Sequence, residues 1–558
     1  MSNFKALVLF CLLLSFDIIA NSQDNREQKI DPGHIFTVGR QWCDSVWNSL
    51  SDKEKIAQLF WVAVEIPHAQ NKYLRLREEV EQLQPGGIIL YAMESEKARE
   101  VIDDLQSLAK VPLFVSMDGE VGAAMRFRDM RRFPYAITMG AVDDDSLIYR
   151  AGIEMAKELR SIGVNANFAP VLDVNSRELI PVIGYRAFGD DPENVARKSV
   201  ALMQGLQDGG VMAVGKHFPG HGNTDVDSHH KLPVNNHSIE SFMQRDIFPF
   251  KEYIASGGWG LMSAHIEVPV LEKGVPASFS SKALKSLLRE QLHFEGLAII
   301  DAINMAGTTG MGSPGEIDVK ALVAGNDIIV MPRDLNTSIE SVLQAVKAGD
   351  LLMSDVEEKC RRSLLFKNWL FNEVFLQDEE SVVDINSESS EKSDSTDLNQ
   401  QLYDAALTIL KDERFDELRY GSSGEFTCLA LGKAEIVTDE LKSRGIPVYQ
   451  LPLHNNLLFE LAINNPKPHQ KLIVIIALPN WGRSELHEEL KNKFALLSQK
   501  KNSFGLFMGN PYHLDYWPEL DDYGAVIMSY ENTLETQKTI VKFLEGVIQA
   551  EGKLPARF

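Results

Sequence analysis

The chain has 558 residues, 44% of them hydrophobic, and a formal net charge of −23 at pH 7. A chain of this length exceeds what one ordinary hydrophobic core organises, so two domains are expected. The acidic balance argues against a nucleic-acid partner, because binding phosphate groups requires a basic surface.

The first 22 residues have the pattern of a secretory signal peptide. Lys5 precedes an apolar run from Ala6 to Ala20, and the small polar residues Asn21 and Ser22 follow it. The run is too short to cross a membrane comfortably, although Asp17 interrupts it and an uncleaved N-terminal anchor is the alternative. We therefore expect an exported protein, periplasmic or extracellular, either free or held at the membrane, with no stable membrane span once the signal is removed.

Three cysteines follow the signal, at Cys43, Cys360 and Cys428. They are odd in number and far apart, so they predict no disulfide framework and show no metal-binding spacing. We expect buried, unreactive thiols.

Within residues 23–377, short continuous apolar runs alternate with longer amphipathic stretches. Such runs predict strands buried on both faces, as in a parallel sheet. Stretches such as Asp144–Ser161 and Asn194–Gln207 predict helices, and Ser51 with Glu54 has the spacing of a capping box. Eight strand–helix pairs favour an α/β fold of the (β/α)₈ TIM-like barrel type, with an open doubly wound sheet as the alternative. The predicted strands are Phe60–Val64, Gly87–Tyr91, Leu113–Met117, Asn167–Val174, Val211–Val214, Gly260–Ala264, Leu297–Ile300 and Asp327–Met331.

The rest of the chain divides into a polar segment and a smaller domain. Residues 378–400 are dense in Ser, Asp and Glu, which predicts a solvated acidic linker. Residues 401–558 resume the alternation, and we interpret them as a three-layer α/β sandwich domain without a phosphate-binding glycine pattern. Its predicted strands are Thr427–Leu431, Leu472–Ala477, Phe504–Met508 and Ala525–Ser529, with helices at Ser484–Ser498 and Thr533–Ala550.

Charged side chains cluster where the predicted barrel strands end. Catalysis in such a barrel belongs to the loops at the C-terminal ends of the strands, so several charged ends indicate one shared site. Taken singly, each has a structural alternative: a carboxylate can hold loop amides, an arginine can be a surface residue with a buried stem, and a lysine can belong to an internal ion pair. The candidates are Asp118, Arg126, Arg186, Lys216, His217 and Asp301.

The loop at residues 217–230 carries a second signal. It contains four histidines, but Pro219 and Gly220 exclude the helical His-x-x-x-His spacing of a zinc site, so no metal is expected. In an extended segment, residues i and i+2 point the same way, so the Asp227 carboxylate can reach the His229 imidazole. A carboxylate partner orients a histidine and favours its protonated form, as a general acid needs.

Together these residues resemble the β-N-acetylglucosaminidase branch of glycoside hydrolase family 3. The resemblance covers about residues 45–375 and rests above all on the segment Lys216–Thr224 followed by Asp-Ser-His at 227–229. The closing Gly552–Pro555 resembles the second domain of two-domain members. Further matching segments are Asp118-x-Glu120 with Arg126, Val182–Gly189 and Ile300–Met305.

The resemblance implies a retaining exo-β-N-acetylglucosaminidase that releases N-acetylglucosamine from cell-wall-derived or related glycans. Asp301 corresponds to the nucleophile and His229 to the acid/base, with Asp227 as its partner. Neither a cofactor nor a metal is implied. The residues that correspond to those holding the sugar are Asp118, Arg126, Arg186, Lys216 and His217.

Three positions depart from the family pattern, and two other functions stay open. Val121 interrupts the usual double glycine, Ile300 stands where a small hydroxyl residue often precedes the nucleophile, and Asn223 takes a place commonly held by Asp. Some members of this branch transfer the sugar to phosphate, since a histidine does not repel an anionic acceptor. The remaining alternative is a non-catalytic glycan-binding protein that has kept the scaffold.

Overall fold

The structure is a computed structural model, and the predicted signal at residues 1–22 lies outside the residues that it describes. No helix among these residues is both long and apolar enough to span a membrane. The described residues are 39–64, 70–175, 183–222, 224, 232–305, 308, 310–374, 391–412, 414–421, 423–451, 459, 463, 470–478, 493, 503–516 and 525–556.

The first domain is built on eight parallel strands, as predicted. They are β1 (Phe60–Val64), β2 (Gly87–Leu90), β3 (Phe114–Met117), β4 (Ala166–Asn167), β5 (Met212–Phe218), β6 (Gly260–Ser263), β9 (Leu297–Ile300) and β10 (Ile329–Val330), and a small antiparallel hairpin, β7 (Glu267–Val268) and β8 (Glu272–Pro276), stands apart. Their order is β10-β1-β2-β3-β4-β5-β6-β9. A parallel bridge between Ile299 and Ile328 joins the two ends, so the sheet is a nearly closed barrel.

The fourth strand is shorter than the apolar run that predicted it. The run covers Asn167–Val174, but β4 ends at Asn167. Pro170 has no N–H to donate to a sheet, and the chain beyond it pairs irregularly with β5: the Leu172 amide donates to the Lys216 carbonyl over 2.6 Å. This irregular course carries Asp173 to the mouth of the barrel.

Helices surround the sheet, and the predicted capping box is present. The Ser51 hydroxyl accepts from the Glu54 amide (3.4 Å), while the Glu54 carboxylate accepts from the Ser51 amide (2.8 Å). The α-helices are Arg40–Ser49, Asp52–Ala57, Gln70–Leu83, Ser95–Leu108, Ala136–Ala141, Asp145–Ser161, Pro192–Asp208, Ile239–Ser241, Phe248–Ala255, Pro314–Ala324, Leu335–Ala348 and Met353–Asn368, with wider π-type turns at Phe242–Asp246, Lys282–Gln291 and Trp369–Val374.

Aromatic side chains fill the barrel and close its N-terminal end. Trp61, Phe114 and Trp259 lie in one interior cluster with Trp369, which follows the last barrel helix. Trp259 directly precedes β6, and its ring meets that of Trp369 edge to face with centroids 4.3 Å apart. Because this end is plugged, only the C-terminal ends of the strands are left to form a site.

The three described cysteines are buried and free. Burial raises the thiol pKa of Cys43 and of Cys360 to about 12. Since only a thiolate is strongly nucleophilic, these two cysteines are unreactive at neutral pH, as expected.

The second domain has one mixed sheet of six strands. They are β11 (Thr408–Asp412), β12 (Phe426–Gly432), β13 (Val448–Leu451), β14 (Lys471–Ala477), β15 (Phe504–Met508) and β16 (Ala525–Ser529), in the order β11-β16-β15-β14-β12-β13 with β11 antiparallel, and the described helices are Glu391–Ala406, Phe415–Tyr420, Glu435–Ser443 and Leu534–Leu544. The four predicted strands are all present. The edge strands β11 and β13 were not predicted, because each is paired on one side only and lacks a continuous apolar run.

Two predicted boundaries in this half of the chain differ from the structure. The helix Glu391–Ala406 begins inside the predicted linker 378–400, the earlier part of which lies outside the described residues. The last helix ends at Leu544 rather than Ala550, and Gly546 takes a positive φ of 75° just beyond it, as helix ends commonly require. Apart from residue 493, the predicted helix Ser484–Ser498 also lies outside the described part of the chain.

The closing residues of the chain bind the barrel. The Asp190 amide donates to the Pro555 carbonyl (3.0 Å), and the Lys553 amide donates to the Ala141 carbonyl (2.8 Å). Gly189 lies under this closing segment with a φ of +148°, and a Cβ added there would be 2.1 Å from the Pro555 oxygen. The two domains therefore meet through backbone contacts that leave no space for a side chain.

Replacing Gly189 with alanine tests this contact. The added methyl group collides with backbone and the φ is unfavourable for alanine, so we expect the unfolding free energy to fall by about 3 kcal/mol, measured by urea denaturation. Gly424→Ala is the matched control, because its Cβ would meet nothing within 4 Å. Equal urea midpoints for the two variants would contradict the prediction.

Candidate active site

A cavity of about 780 Å³ lies at the C-terminal ends of the barrel strands. It brings together six of the eight residues that the sequence predicted for the site. Asp227 and His229, the other two, lie outside the described residues. The six that line the cavity are Asp118, Arg126, Arg186, Lys216, His217 and Asp301.

Lys216 is the centre of an ion-pair network on one side of the cavity. Its side chain is only 2% exposed, and its Nζ lies 2.9 Å from Oδ1 of Asp118 and 2.8 Å from Oε1 of Glu120. Arg126 pairs with the other oxygen of Asp118. Arg186 binds Glu120 with two hydrogen bonds, of 2.9 Å from Nε and 2.7 Å from Nη2. The network thus joins residues from the loop after β3, from β5 and from the loop after β4.

The pKa shifts in this network keep its members charged. Burial acts to raise the pKa of Asp118, but Lys216 and Arg126 outweigh burial and lower that pKa to about 2. Glu120 behaves alike, since Arg186 and Lys216 overcome its burial and hold its pKa below the usual range. For Lys216, burial lowers the pKa, but the two carboxylates raise it more. At neutral pH the site therefore presents fixed charges whose oxygens and N–H groups can form hydrogen bonds with a polar ligand.

His217 is oriented by Asp173, a residue for which sequence analysis predicted no role. Nδ1 of His217 lies 2.6 Å from Oδ2 of Asp173, and Oδ1 of Asp173 accepts from the His221 amide over 2.5 Å. Nε2 of His217 faces the cavity side, 3.4 Å from Nη2 of Arg186. The sequence did contain a signal for this pair, since a carboxylate follows the fourth strand and a histidine lies near the end of the fifth. Neighbouring parallel strands end side by side, so the two side chains could be expected to meet. Glu120 is likewise part of a segment that resembles the family, but the sequence predicted no role for it.

His221 fixes the first part of the loop at residues 217–230, which we call the histidine-rich loop. Its Nδ1 lies 2.7 Å from the hydroxyl of Thr224, which also donates to the His221 carbonyl over 2.8 Å. Burial and the nearby His217 lower the pKa of His221 to about 4, so its ring is neutral at pH 7. Past the loop, the Asn235 amide donates to the Glu267 carbonyl over 2.9 Å. Both described ends of the loop are therefore held at the barrel rim.

Asp301 stands apart from the ion-pair network. It follows β9, its amide donates to the Ser263 carbonyl on β6 (2.9 Å), and its Oδ1 accepts from the Ala302 amide (2.8 Å). No cation in the described part of the chain lies within ion-pair distance of its carboxylate. His265 supports this turn from behind, with Nε2 at 3.2 Å from the Ala302 carbonyl and Nδ1 at 2.7 Å from the Ser278 hydroxyl. A carboxylate in a polar cavity with no salt-bridge partner can act as a nucleophile.

Residues with metal-binding chemistry do not converge in the described ranges. No group of three or more His, Cys, Asp or Glu side chains there is arranged to hold a metal ion. The described histidines of the cavity are instead engaged with Asp173 and Thr224.

Lys216→Met tests the network independently of catalysis. Removing the cation leaves the buried Glu120 and the partly buried Asp118 with less compensation, so the unfolding free energy at pH 7 should fall by about 3–5 kcal/mol. In the wild type, the lowered pKa of Asp118 contributes stability above its unfolded pKa near 3.9, and this is lost as the pH falls toward 2. The difference between the two proteins should therefore narrow below pH 4.

Urea denaturation at pH 7 and pH 3.5 measures this effect. Lys285→Met, at an exposed lysine with no ion pair among the described residues, is the control and should change stability by less than about 0.5 kcal/mol. A difference between Lys216→Met and the wild type that stays constant with pH would argue against the network.

Comparisons with known proteins identify relatives of this chain. Residues 52–365 match the glycosyl hydrolase family 3 N terminal domain. A β-hexosaminidase from Nitrosospira multiformis is 38% identical over 256 residues, which is 44% of this chain and 73% of that protein. A β-hexosaminidase from Nitrosomonas eutropha is 36% identical over 265 residues, 46% of this chain and 76% of the relative.

Solved structures cover both domains. A glycoside hydrolase family 3 β-N-acetylglucosaminidase from Paenibacillus sp. str. FPU-7 superposes with a TM-score of 0.75 at 26% identity, covering 91% of this chain and 99% of the other. The β-glucoside phosphorylase BglX superposes with a TM-score of 0.77 at 23% identity, covering 93% and 96%, which supports the fold alone. The match to the family domain extends over more than half of the chain, and the protein therefore belongs to glycosyl hydrolase family 3 and is a glycoside hydrolase.

Proposed function

We propose that this protein is a retaining exo-β-N-acetylglucosaminidase with Asp301 as its nucleophile. The observation that carries the proposal is the position of Asp301, without a described ion-pair partner, in the same cavity as the Asp118–Lys216–Glu120–Arg186 network. Relatives with more than a third of their aligned residues identical are named β-hexosaminidases, which supports the choice of sugar.

The network would hold the terminal N-acetylglucosamine. The Asp118 carboxylate accepts hydrogen bonds from sugar hydroxyls, while Arg126, Arg186, Lys216 and His217 donate to them. These charges are already fixed by their mutual pairing, so little reorganisation accompanies binding. Such a grip fixes the anomeric carbon against the nucleophile, and holding reactants in place is worth several kcal/mol of the barrier.

The reaction would proceed in two displacement steps. In the first, an Asp301 oxygen attacks the anomeric carbon and forms a glycosyl ester, while the bond to the leaving oxygen breaks and that oxygen takes a proton from His229. In the second, His229 accepts a proton from water, and the water oxygen attacks the same carbon and releases Asp301. A histidine has an unperturbed pKa of about 6.5, which suits both roles near neutral pH, and Asp227 would orient it.

The described ends of the histidine-rich loop support this role for His229. His221 and Thr224 hold the beginning of the loop beside Asp173, and Asn235 holds its end beside Glu267. Both ends lie on the barrel rim that carries the cavity. The short chain between them limits how far His229 can be from that rim.

We further propose that the protein is exported and acts on cell-wall-derived glycans that end in β-linked N-acetylglucosamine. The apolar run from Ala6 to Ala20 after Lys5 supports export. An enzyme located outside the cytoplasm would meet such glycans directly.

Asp301→Ala is the first test of the nucleophile. Without the carboxylate no glycosyl ester forms, so release of nitrophenol from 4-nitrophenyl β-N-acetylglucosaminide should fall by a factor of about 10⁴ or more while the circular dichroism spectrum is unchanged. Asp350→Asn, at an exposed carboxylate that does not line this cavity, should keep wild-type rates.

Two further measurements make this test decisive. A slow fluorinated sugar substrate should add one sugar mass to the peptide that contains Asp301 in the wild type. Labelling of a different carboxylate would refute the assignment. Running the assay with and without phosphate separates the reactions, since sugar 1-phosphate as the product would show a phosphorylase rather than a hydrolase.

His229→Ala tests the acid/base. Only a poor leaving group needs a proton, so kcat/KM for N,N′-diacetylchitobiose should fall about 10²–10⁴-fold, and far less for the activated nitrophenyl substrate. His230→Ala, at the adjacent histidine, is the control and should affect both substrates alike. Equal losses on both substrates in His229→Ala would count against the assigned role.

A further inference from the structure

One wall of the cavity consists of Arg132, Tyr135 and Tyr185, which we call the arginine–tyrosine wall. The two tyrosine rings are tilted against each other with centroids 4.4 Å apart. The Arg132 guanidinium lies 4.1 Å from the centroid of the Tyr135 ring. Two aromatic rings and a guanidinium plane form an apolar surface with polar edges, the kind of surface that suits the face of a sugar ring.

This wall is held by a carboxylate of the second domain. Glu531 follows β16, and its side chain is 0% exposed. Its Oε2 accepts from Nη1 of Arg132 over 2.8 Å, while its Oε1 accepts from the Tyr135 amide (2.7 Å) and the Thr138 hydroxyl (2.8 Å). All three donors belong to the barrel domain, so the partners of this buried charge come from across the domain boundary.

A second contact reaches the same arginine from the same side. The Asn399 side-chain amide donates to the Arg132 carbonyl over 2.8 Å. Arg132 is thus held at its backbone and at its guanidinium by residues outside the barrel. Burial acts to lower the pKa of Arg132, but Glu531 outweighs burial and raises that pKa, so the guanidinium stays charged.

We infer that Glu531 is a positioning residue through which the second domain sets the arginine–tyrosine wall for the bound glycan. The inference rests on the proposed function, in which a sugar occupies the cavity. When a buried carboxylate is replaced by a neutral group, its partner cation is left uncompensated, which is costly. The cation therefore moves toward water or another anion. Release of Arg132 would move the Tyr135 ring that it covers, and with it the surface on which the sugar packs.

Another ion pair between the domains provides a matched control. Lys553 and Asp143 lie 2.7 Å apart, with side chains 71% and 52% exposed, and neither lines the cavity. Asp143→Asn removes an interdomain charge pair without touching the wall. Glu531→Gln removes an interdomain charge pair that does touch the wall. The glutamine can still accept from the Tyr135 amide and the Thr138 hydroxyl through its carbonyl oxygen.

Kinetics of the full-length enzyme on 4-nitrophenyl β-N-acetylglucosaminide and N,N′-diacetylchitobiose test the inference. Glu531→Gln should raise KM at least five-fold on both substrates and change kcat less than two-fold, whereas Asp143→Asn should leave both constants unchanged. If Glu531 only stabilises the fold, Glu531→Gln would lower the melting temperature and the active fraction with KM unchanged, and this result would overturn the inference.

A double-mutant cycle adds a second route to the answer. Arg132→Met breaks the same ion pair from the barrel side and should raise KM to a similar extent. The KM of the double variant should be no higher than that of either single variant, because the two substitutions remove the same interaction. If the increase in KM of the double variant equals the product of the two single increases, the two residues act separately and the proposed coupling is excluded.

Hydrogen exchange distinguishes failure of this inference from failure of the proposed function. Peptides that contain residues 131–139 should exchange faster in Glu531→Gln than in the wild type or in Asp143→Asn. If the wild type hydrolyses neither substrate, the proposed function fails, and this comparison alone decides whether Glu531 holds the wall. Unchanged exchange would overturn the inference whatever the enzyme's activity.

Discussion

The site depends on one buried cation, Lys216. An ammonium group that is 2% exposed is costly to bury unless it is paired, and here two carboxylates pair with it. Asp118 and Glu120 are in turn paired with Arg126 and Arg186, so removing any one charge leaves another uncompensated. Charge balance therefore ties three strand-end segments of the barrel to one geometry.

The same balance explains why Asp301 is distinct from the other carboxylates of the cavity. Asp118 and Glu120 form ion pairs with cations, and their lowered pKa values make them weak bases. Asp301 is held by two backbone hydrogen bonds and has no described cation beside it. In the mechanism that we propose, the carboxylate that remains available forms the bond to carbon, so binding and reactivity are divided between residues of the same chemical type.

How far the sequence could predict this arrangement depended on the range of the interactions. The barrel strands were predictable because a continuous apolar run is a local pattern, and six cavity residues were predictable because they lie at the ends of these runs or in the loops that follow them. Asp173 was harder, because its role appears only when β4 and β5 lie side by side and Pro170 has ended the ladder early. The linker prediction missed the helix that begins at Glu391, because its first seven residues, 391–397, are all polar and show no apolar period. Glu531 was out of reach, because its partners lie 393 to 399 residues away in sequence.

The role of Glu531 belongs to the two-domain form of the protein. The alignment with the Nitrosospira relative spans 256 residues and already covers 73% of that protein, so little of it is left to form a second domain of this size. In such a relative, any wall equivalent to Arg132, Tyr135 and Tyr185 must be held by the barrel itself. In this chain the barrel supplies the charged side of the cavity from its own strand ends, but the buried anion that fixes the aromatic side follows β16 in the other domain. The second domain thus supports the binding surface from behind through Glu531, with Asn399 as a further contact, and a cavity that forms correctly requires both domains to be docked.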